Sequence, residues 1–201
     1  MRRRTFDSLL GSVGLLIVAV LAVAGGLLTW GHNYIGNQVH NQLAAQQIFF
    51  PATTSASFKE LPASDQAAMA PYAGQQMLTG AQAEAYADHY IAVHLSKMPY
   101  NGVYAKVSSA ALAAPAGSAQ QKSLQATETT VFQGTTLRGL LLEAYAFGTM
   151  GSIAGWAALA AFLGAGFMLI LSGLGLFHAR RTAPEKEILV GAHRSPVTAT
   201  A

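Results

Sequence analysis

From Leu9 to Leu28 the chain reads LLGSVGLLIVAVLAVAGGLL, with Ser12 as its one polar side chain. About 20 helical residues suffice to cross a hydrocarbon layer of about 30 Å. A second apolar run, rich in Leu, Ala and Gly, extends from Ile153 to Phe177. The pattern predicts an all-α membrane protein. Residues 1–8 form a basic N-terminus, 9–30 a first transmembrane helix, 151–177 a second, and 178–201 a disordered tail. Residues 31–150, between the spans, read as a helical bundle in water.

Within that middle segment the period changes to the amphipathic kind. Ile35, Val39 and Leu43 recur at i, i+4, i+8 with amide side chains on the other faces, so the first helix is expected to continue beyond the apolar run and stop before Pro51. Pro51–Pro62 reads as a Ser/Thr/Ala loop. Thr79–Lys97 reads as a helix opened by the capping-box spacing Thr79-x-x-Gln82. Tyr100-Asn101-Gly102 is a turn signal. A short helix follows with Val103, Val107 and Ala110 on one face, ending by Pro115. Ser118-x-x-Gln121 opens another, and Thr135–Phe147 runs helically into the second span.

Charge sharpens this reading. Charged residues are 10% of the chain, where about a quarter is usual. None falls between Asp7 and His32 or between Glu143 and His178. An ionised group at the centre of a bilayer costs about 2.5–3.5 kcal/mol on insertion scales. Arg2, Arg3 and Arg4 precede the first run, and Arg180, Arg181 and Lys186 follow the second, against Arg138 alone near the opposite ends. The positive-inside rule therefore expects both termini in the cytoplasm and 31–150 outside, in the cell (inner) membrane. Trp30 and Trp156 then fall at the same outer interface, where amphipathic rings prefer to lie. Ala22-Val23-Ala24 offers a signal-peptide cleavage site, and Arg3-Arg4-Thr5-Phe6 the start of a twin-arginine signal. The apolar run continuing to Trp30 favours a retained anchor.

Candidate chemistry is sparse. There is no cysteine, which excludes disulfides and thiolate metal sites. Glu84 and Asp88, four apart, share a helical face near His89 and His94. Those histidines are five apart, about 140° round a helix, and not at the i, i+4 spacing of a helical zinc pair. No nucleophile elbow, phosphate-binding glycine loop or basic stripe with interleaved aromatics occurs. The expectation is no enzyme, no cofactor or metal, and no nucleic-acid partner. Small-x-x-x-small patterns at Ala22/Gly26, Gly151/Gly155 and Ala160/Gly164 let helix backbones approach closely. They point to the two spans packing together, with a membrane-protein partner, or with a second copy.

Three stretches, QVHNQLAAQQIFFP (38–51), GAQAEAYADHYIAVHL (80–95) and TLRGLLLEAYAF (136–147), resemble a family of actinobacterial two-span membrane proteins of undefined function. Some members carry the label of an aromatic ring-opening dioxygenase. That chemistry would imply a non-haem iron on two histidines and a carboxylate, a set for which this chain offers no convincing spacing, so the resemblance transfers no catalytic residue. The functional expectation is a non-enzymatic accessory or scaffold protein of the membrane. The alternative is an extracytoplasmic ligand-sensing module acting through a partner.

Overall fold

The computed structural model describes residues 3–181, with side chains from Thr5 onward. Of the tail expected to be disordered over 178–201, residues 178–181 instead form the last turn of α7 (Ala119–Arg181), and 182–201, like the anchor Arg2, lie outside the described residues. Among these residues the chain is helical, without strands: α1 (Arg3–Gln46), α2 (Ala56–Lys59), α3 (Ala63–Met69), α4 (Gly80–Tyr86), α5 (Ala92–Ser96), α6 (Tyr104–Ala113) and α7 (Ala119–Arg181). It divides into two compact units. One comprises the chain up to Thr29 with the chain from Gly155 onward; the other is Trp30–Ala154.

In the first unit the halves of α1 and α7 pair with opposite chain directions. Gly11 meets Leu176, Gly14 meets Ser172, Leu21 meets Gly164 and Gly25 meets Phe162, so rising numbers on one helix face falling numbers on the other. The shielded positions of α7 recur at Ala158, Ala161, Ala165, Met168, Ser172, Gly175 and Ala179. Those steps of three and four are the 3.5-residue repeat of a helix seam. The other faces carry exposed Leu, Ile, Val and Phe. Both helices are long and apolar enough to cross a membrane, and only 17% of the most apolar window of each is buried. Ser12 and Thr29 hydroxyls donate to the carbonyls of Ser8 and Gly25, four residues back, which satisfies them without water.

The second unit is built on the remaining parts of the same helices, 30–46 of α1 and 119–154 of α7. As the i, i+4, i+8 pattern predicts, Val39 and Leu43 are buried, joined by Leu141 of α7 and by Phe50, Phe58, Leu61, Met69, Met77, Ile91 and Leu95. α1 ends at Gln47, which takes a left-handed φ of 52°, and the Gln76 amide donates to the Ala44 carbonyl at 2.9 Å. Residues 48–50 then exchange hydrogen bonds with 74–77, Phe50 N–H to Gln75 O and Met77 N–H to Ile48 O, both 2.9 Å.

Four local expectations change. The loop 51–62 contains α2, because Ser55 accepts from Phe58 N–H and Phe58 is buried. In α6 the buried residues are Val107 and Ala111, while Val103 is exposed. Helical register selects the pair four apart. The helix at Ser118 and the one at Thr135 are a single element, α7, of 63 residues, since nothing between them interrupts the backbone ladder. The helix over 79–97 is not regular: Ala87–Ile91 forms a π-helical turn.

Candidate functional site

The capping box at the start of α4 forms as the spacing predicts. Thr79 Oγ1 accepts from Gln82 N–H, and Gln82 Oε1 accepts from the Thr79 and Leu78 amides. Seven residues on, the Ala92 amide donates to the Ala87 carbonyl, five residues back instead of four. Such π turns are rare and concentrate at functional sites. This one carries Asp88, His89 and Tyr90. Asp88 accepts from Arg138 Nη2 of α7 at 2.6 Å, whereas His89 Nδ1 bonds Asp65 Oδ1 of α3 at 2.7 Å. His94 Nδ1–H donates to the Tyr90 carbonyl at 2.7 Å. The four polar residues singled out from sequence are thus not gathered: three of them take separate partners, and among the described residues no group of three or more metal-ligating side chains forms. The π turn itself has no signature in composition or periodicity, and sequence reasoning missed it.

Beside the turn, aromatic rings pack in series. Phe50 meets Tyr72 and, edge-on, Tyr86; Tyr86 meets Tyr90, and Tyr90 meets His94, with centroids 4.4–5.4 Å apart. Burial, with the neighbouring Tyr90 adding to it, pushes the Tyr86 phenol up to about 12. These rings serve packing, the favoured edge-to-face geometry among them.

The turn at 100–102 stores strain. Tyr100, Asn101 and Gly102 all have positive φ, 57°, 55° and 63°. Left-handed backbone costs about 1–2 kcal/mol per non-glycine residue. At Gly102 a Cβ would lie 2.4 Å from the Leu95 carbonyl oxygen, so glycine is required there sterically as well as conformationally.

A cleft of ≈ 520 Å³ lies between α1, α7 and the start of α4. His32, Asn37 and His40 come from α1, and Tyr145, Thr149 and Ser152 from α7. Thr79 and Gly80 close one side, and no acidic side chain lines it. His32 is oriented by donating Nδ1–H to the Gly151 carbonyl at 2.8 Å. Glycines shape the walls. Gly80 and Gly148 touch backbone to backbone, and Gly151 seats Ile35, whereas Gly36 has open space where a Cβ would be. His32 and His40 are loosely aligned in sequence, and only the folding of α4 against α1 and α7 makes them walls of one cleft.

The small residues of the spans fall on different faces. Gly164 meets Leu21, and Gly151 meets Ile35. Gly155 is half-buried, and Ala22, Gly26 and Ala160 are exposed. The close approach near Ala22 and Gly26 is made instead by Gly25, against the Phe162 ring. The i, i+4 motif marks a small-residue face without saying which way it turns; the 3.5-residue repeat through Gly11, Gly14, Val18, Leu21 and Gly25 would have found it. Of the topology anchors, Trp30 is exposed and stacked on Tyr34, and Trp156 is exposed. Arg180 and Arg181 occupy the last turn of α7, where cations complement the helix dipole. The Arg181 guanidinium sits 4.2 Å over the Phe177 ring. Arg3 and Arg4 lie in the first turn of α1.

No protein family, curated protein or solved structure matches the chain.

Proposed function

We propose that this chain is an integral membrane protein with spans at 9–30 and 151–177, both termini in the cytoplasm and residues 31–150 outside. In this reading it serves as a non-enzymatic accessory or scaffold, its outer helical part contacting a larger membrane or cell-envelope complex.

The observation that carries the membrane reading is the outward surface of the first unit. Leu10, Val13, Leu16, Val20, Val23 and Leu27 of α1 are all more than half exposed, as are Leu163, Phe167, Ile170 and Leu174 of α7. The core helix of a water-soluble domain would bury such a stripe, because leaving each side chain in water forfeits about 1.5–3 kcal/mol. The opposite chain directions of the pair bring its two ends to one side, in keeping with arginines flanking both. The scaffold reading is supported by a second apolar surface in the other unit: Val103, Tyr104, Leu112 and Phe132 are exposed, with Tyr104 and Phe132 in ring contact. Exposed patches of this kind mark interaction surfaces when they are contiguous.

Because the chain has no cysteine, single substitutions report topology against a silent background. Ser109→Cys should react with a membrane-impermeant maleimide in intact cells, and Ser8→Cys only after lysis. The reverse pattern, or a protein that remains in solution without detergent, overturns the topology. For the scaffold role, purification in mild detergent should recover stoichiometric partners; a protein isolated alone counts against it.

A further inference from the structure

We propose that the cleft between α1, α7 and the start of α4 binds the phosphate-bearing headgroup of a membrane phospholipid. The inference rests on the two-span reading and adds a ligand class to it.

The lining matches that chemistry. A phosphodiester is anionic and only accepts hydrogen bonds. The cleft offers the His40 imidazole, the Asn37 amide, the Tyr145 phenol and the Thr149 hydroxyl, with no carboxylate to repel the anion, while the His32 Nδ1–H and the Thr79 and Ser152 hydroxyls already donate to Gly151 O, Gln82 Oε1 and Gly148 O. Charge-assisted hydrogen bonds to such an anion are roughly twice as strong as neutral ones.

Depth along the helices selects the source. His32 follows Trp30 by two residues on α1, and Ser152 immediately precedes the apolar run that opens at Ile153 on α7. At 1.5 Å per residue His32 lies about 3 Å, and His40 about 15 Å, beyond Trp30 at the end of the first span. The polar layer on each side of a bilayer is about 5–7 Å thick. The inner end of the cleft therefore stands in the headgroup layer and its outer end, at His40, several ångströms above it. Val39 and Leu78 add apolar lining, so the cleft suits an amphiphile that enters from the membrane side.

Gly36 provides the test, because it lines the cleft and a Cβ there meets nothing within 4 Å. Full-length protein in a neutral detergent is titrated with dihexanoyl phosphatidylglycerol, with inorganic phosphate and with dihexanoyl glycerol, and thermal stability is read. The phospholipid should give saturable stabilisation that neither of the others reproduces. Gly36→Leu should not lower the melting temperature without lipid, since leucine is the better helix former, and should weaken the lipid's apparent affinity at least tenfold. Asn37→Ala with His40→Ala should also weaken it about tenfold. Equal stabilisation by inorganic phosphate would make this a site for a soluble anion and overturn the proposal. Equal stabilisation by the phosphate-free lipid, no saturable stabilisation at all, or wild-type titration by Gly36→Leu would each overturn it too. The titration is done in detergent and the labelling in cells, so a failed topology and an empty cleft give separate results.

Discussion

Gly80, the first residue of α4, and Gly148 of α7 touch through their backbones: a Cβ built on Gly148 would stand 3.3 Å from the Gly80 Cα, and one on Gly80 would stand 3.0 Å from the Ala144 carbonyl oxygen. This approach sets the distance between α4 and α7 and hence the width of the cleft beside it. Backbone atoms cannot rotate away as a side chain can. Gly80→Ala should therefore destabilise the protein by about 1–3 kcal/mol, the usual cost of overpacking. Thermal unfolding in detergent measures it, and Gly36→Ala, in a helix interior with open space at its Cβ, is the contrast, expected to stabilise by about 0.5–1 kcal/mol.

Gly102→Ala should be worse. It combines a φ of 63° with a Cβ 2.4 Å from the Leu95 carbonyl oxygen, and Leu95 belongs to the core. The expected loss is about 3 kcal/mol or more from strain and overpacking together. Asn101→Gly, by contrast, relieves a left-handed non-glycine residue and should stabilise by up to about 1 kcal/mol. Opposite signs at adjacent positions in chemical denaturation would establish the strain.

In the spans, Gly14→Leu and Gly26→Leu separate the two faces of α1. A Cβ at Gly14 would lie 2.0 Å from Ser172 Oγ and 3.2 Å from its Cβ, while Gly26 meets nothing within 4 Å. The first substitution should force α1 and α7 apart and cost about 1–3 kcal/mol. The second should stay within about 0.5 kcal/mol of wild type in detergent, as a surface change does. Equal losses at both positions would mean that another helix covers Gly26.

Tyr86 predicts an alkaline transition. The folded chain holds this phenolic proton up to about 12 against an ordinary 10.0. Between those values the unfolded state has released the proton and the folded state has not. Stability from this group is thus complete below pH 10 and falls as pH rises from 10 to 12. Tyr86→Phe should flatten the fall in that window and remove one late-ionising tyrosine from the ultraviolet titration.

Two ion pairs should contribute little. Both side chains of Asp88–Arg138 are 39% exposed, and His89–Asp65 is only partly buried. A double-mutant cycle on either pair should give about 0.2–1 kcal/mol, the range for solvent-accessible pairs. A larger coupling at Asp88–Arg138 would show that the π turn depends on it.

The two long apolar helices, the core face of α1 through Val39 and Leu43, and the capping box at Thr79 were legible in the amino-acid order. Each depends on residues three or four positions apart or on a sustained lack of charge, and helical geometry turns such local patterns into faces. Tertiary structure decided the rest. Which side of α1 meets α7 turned on Gly11, Gly14 and Gly25, not on Ala22 and Gly26, because a close approach is chosen by the shape of the opposing helix. The π turn, the partners of Asp88 and His89 and the cleft between His32, His40 and Thr149 join residues up to 117 positions apart in the chain. Their geometry comes from packing three elements at once, and no local spacing encodes that.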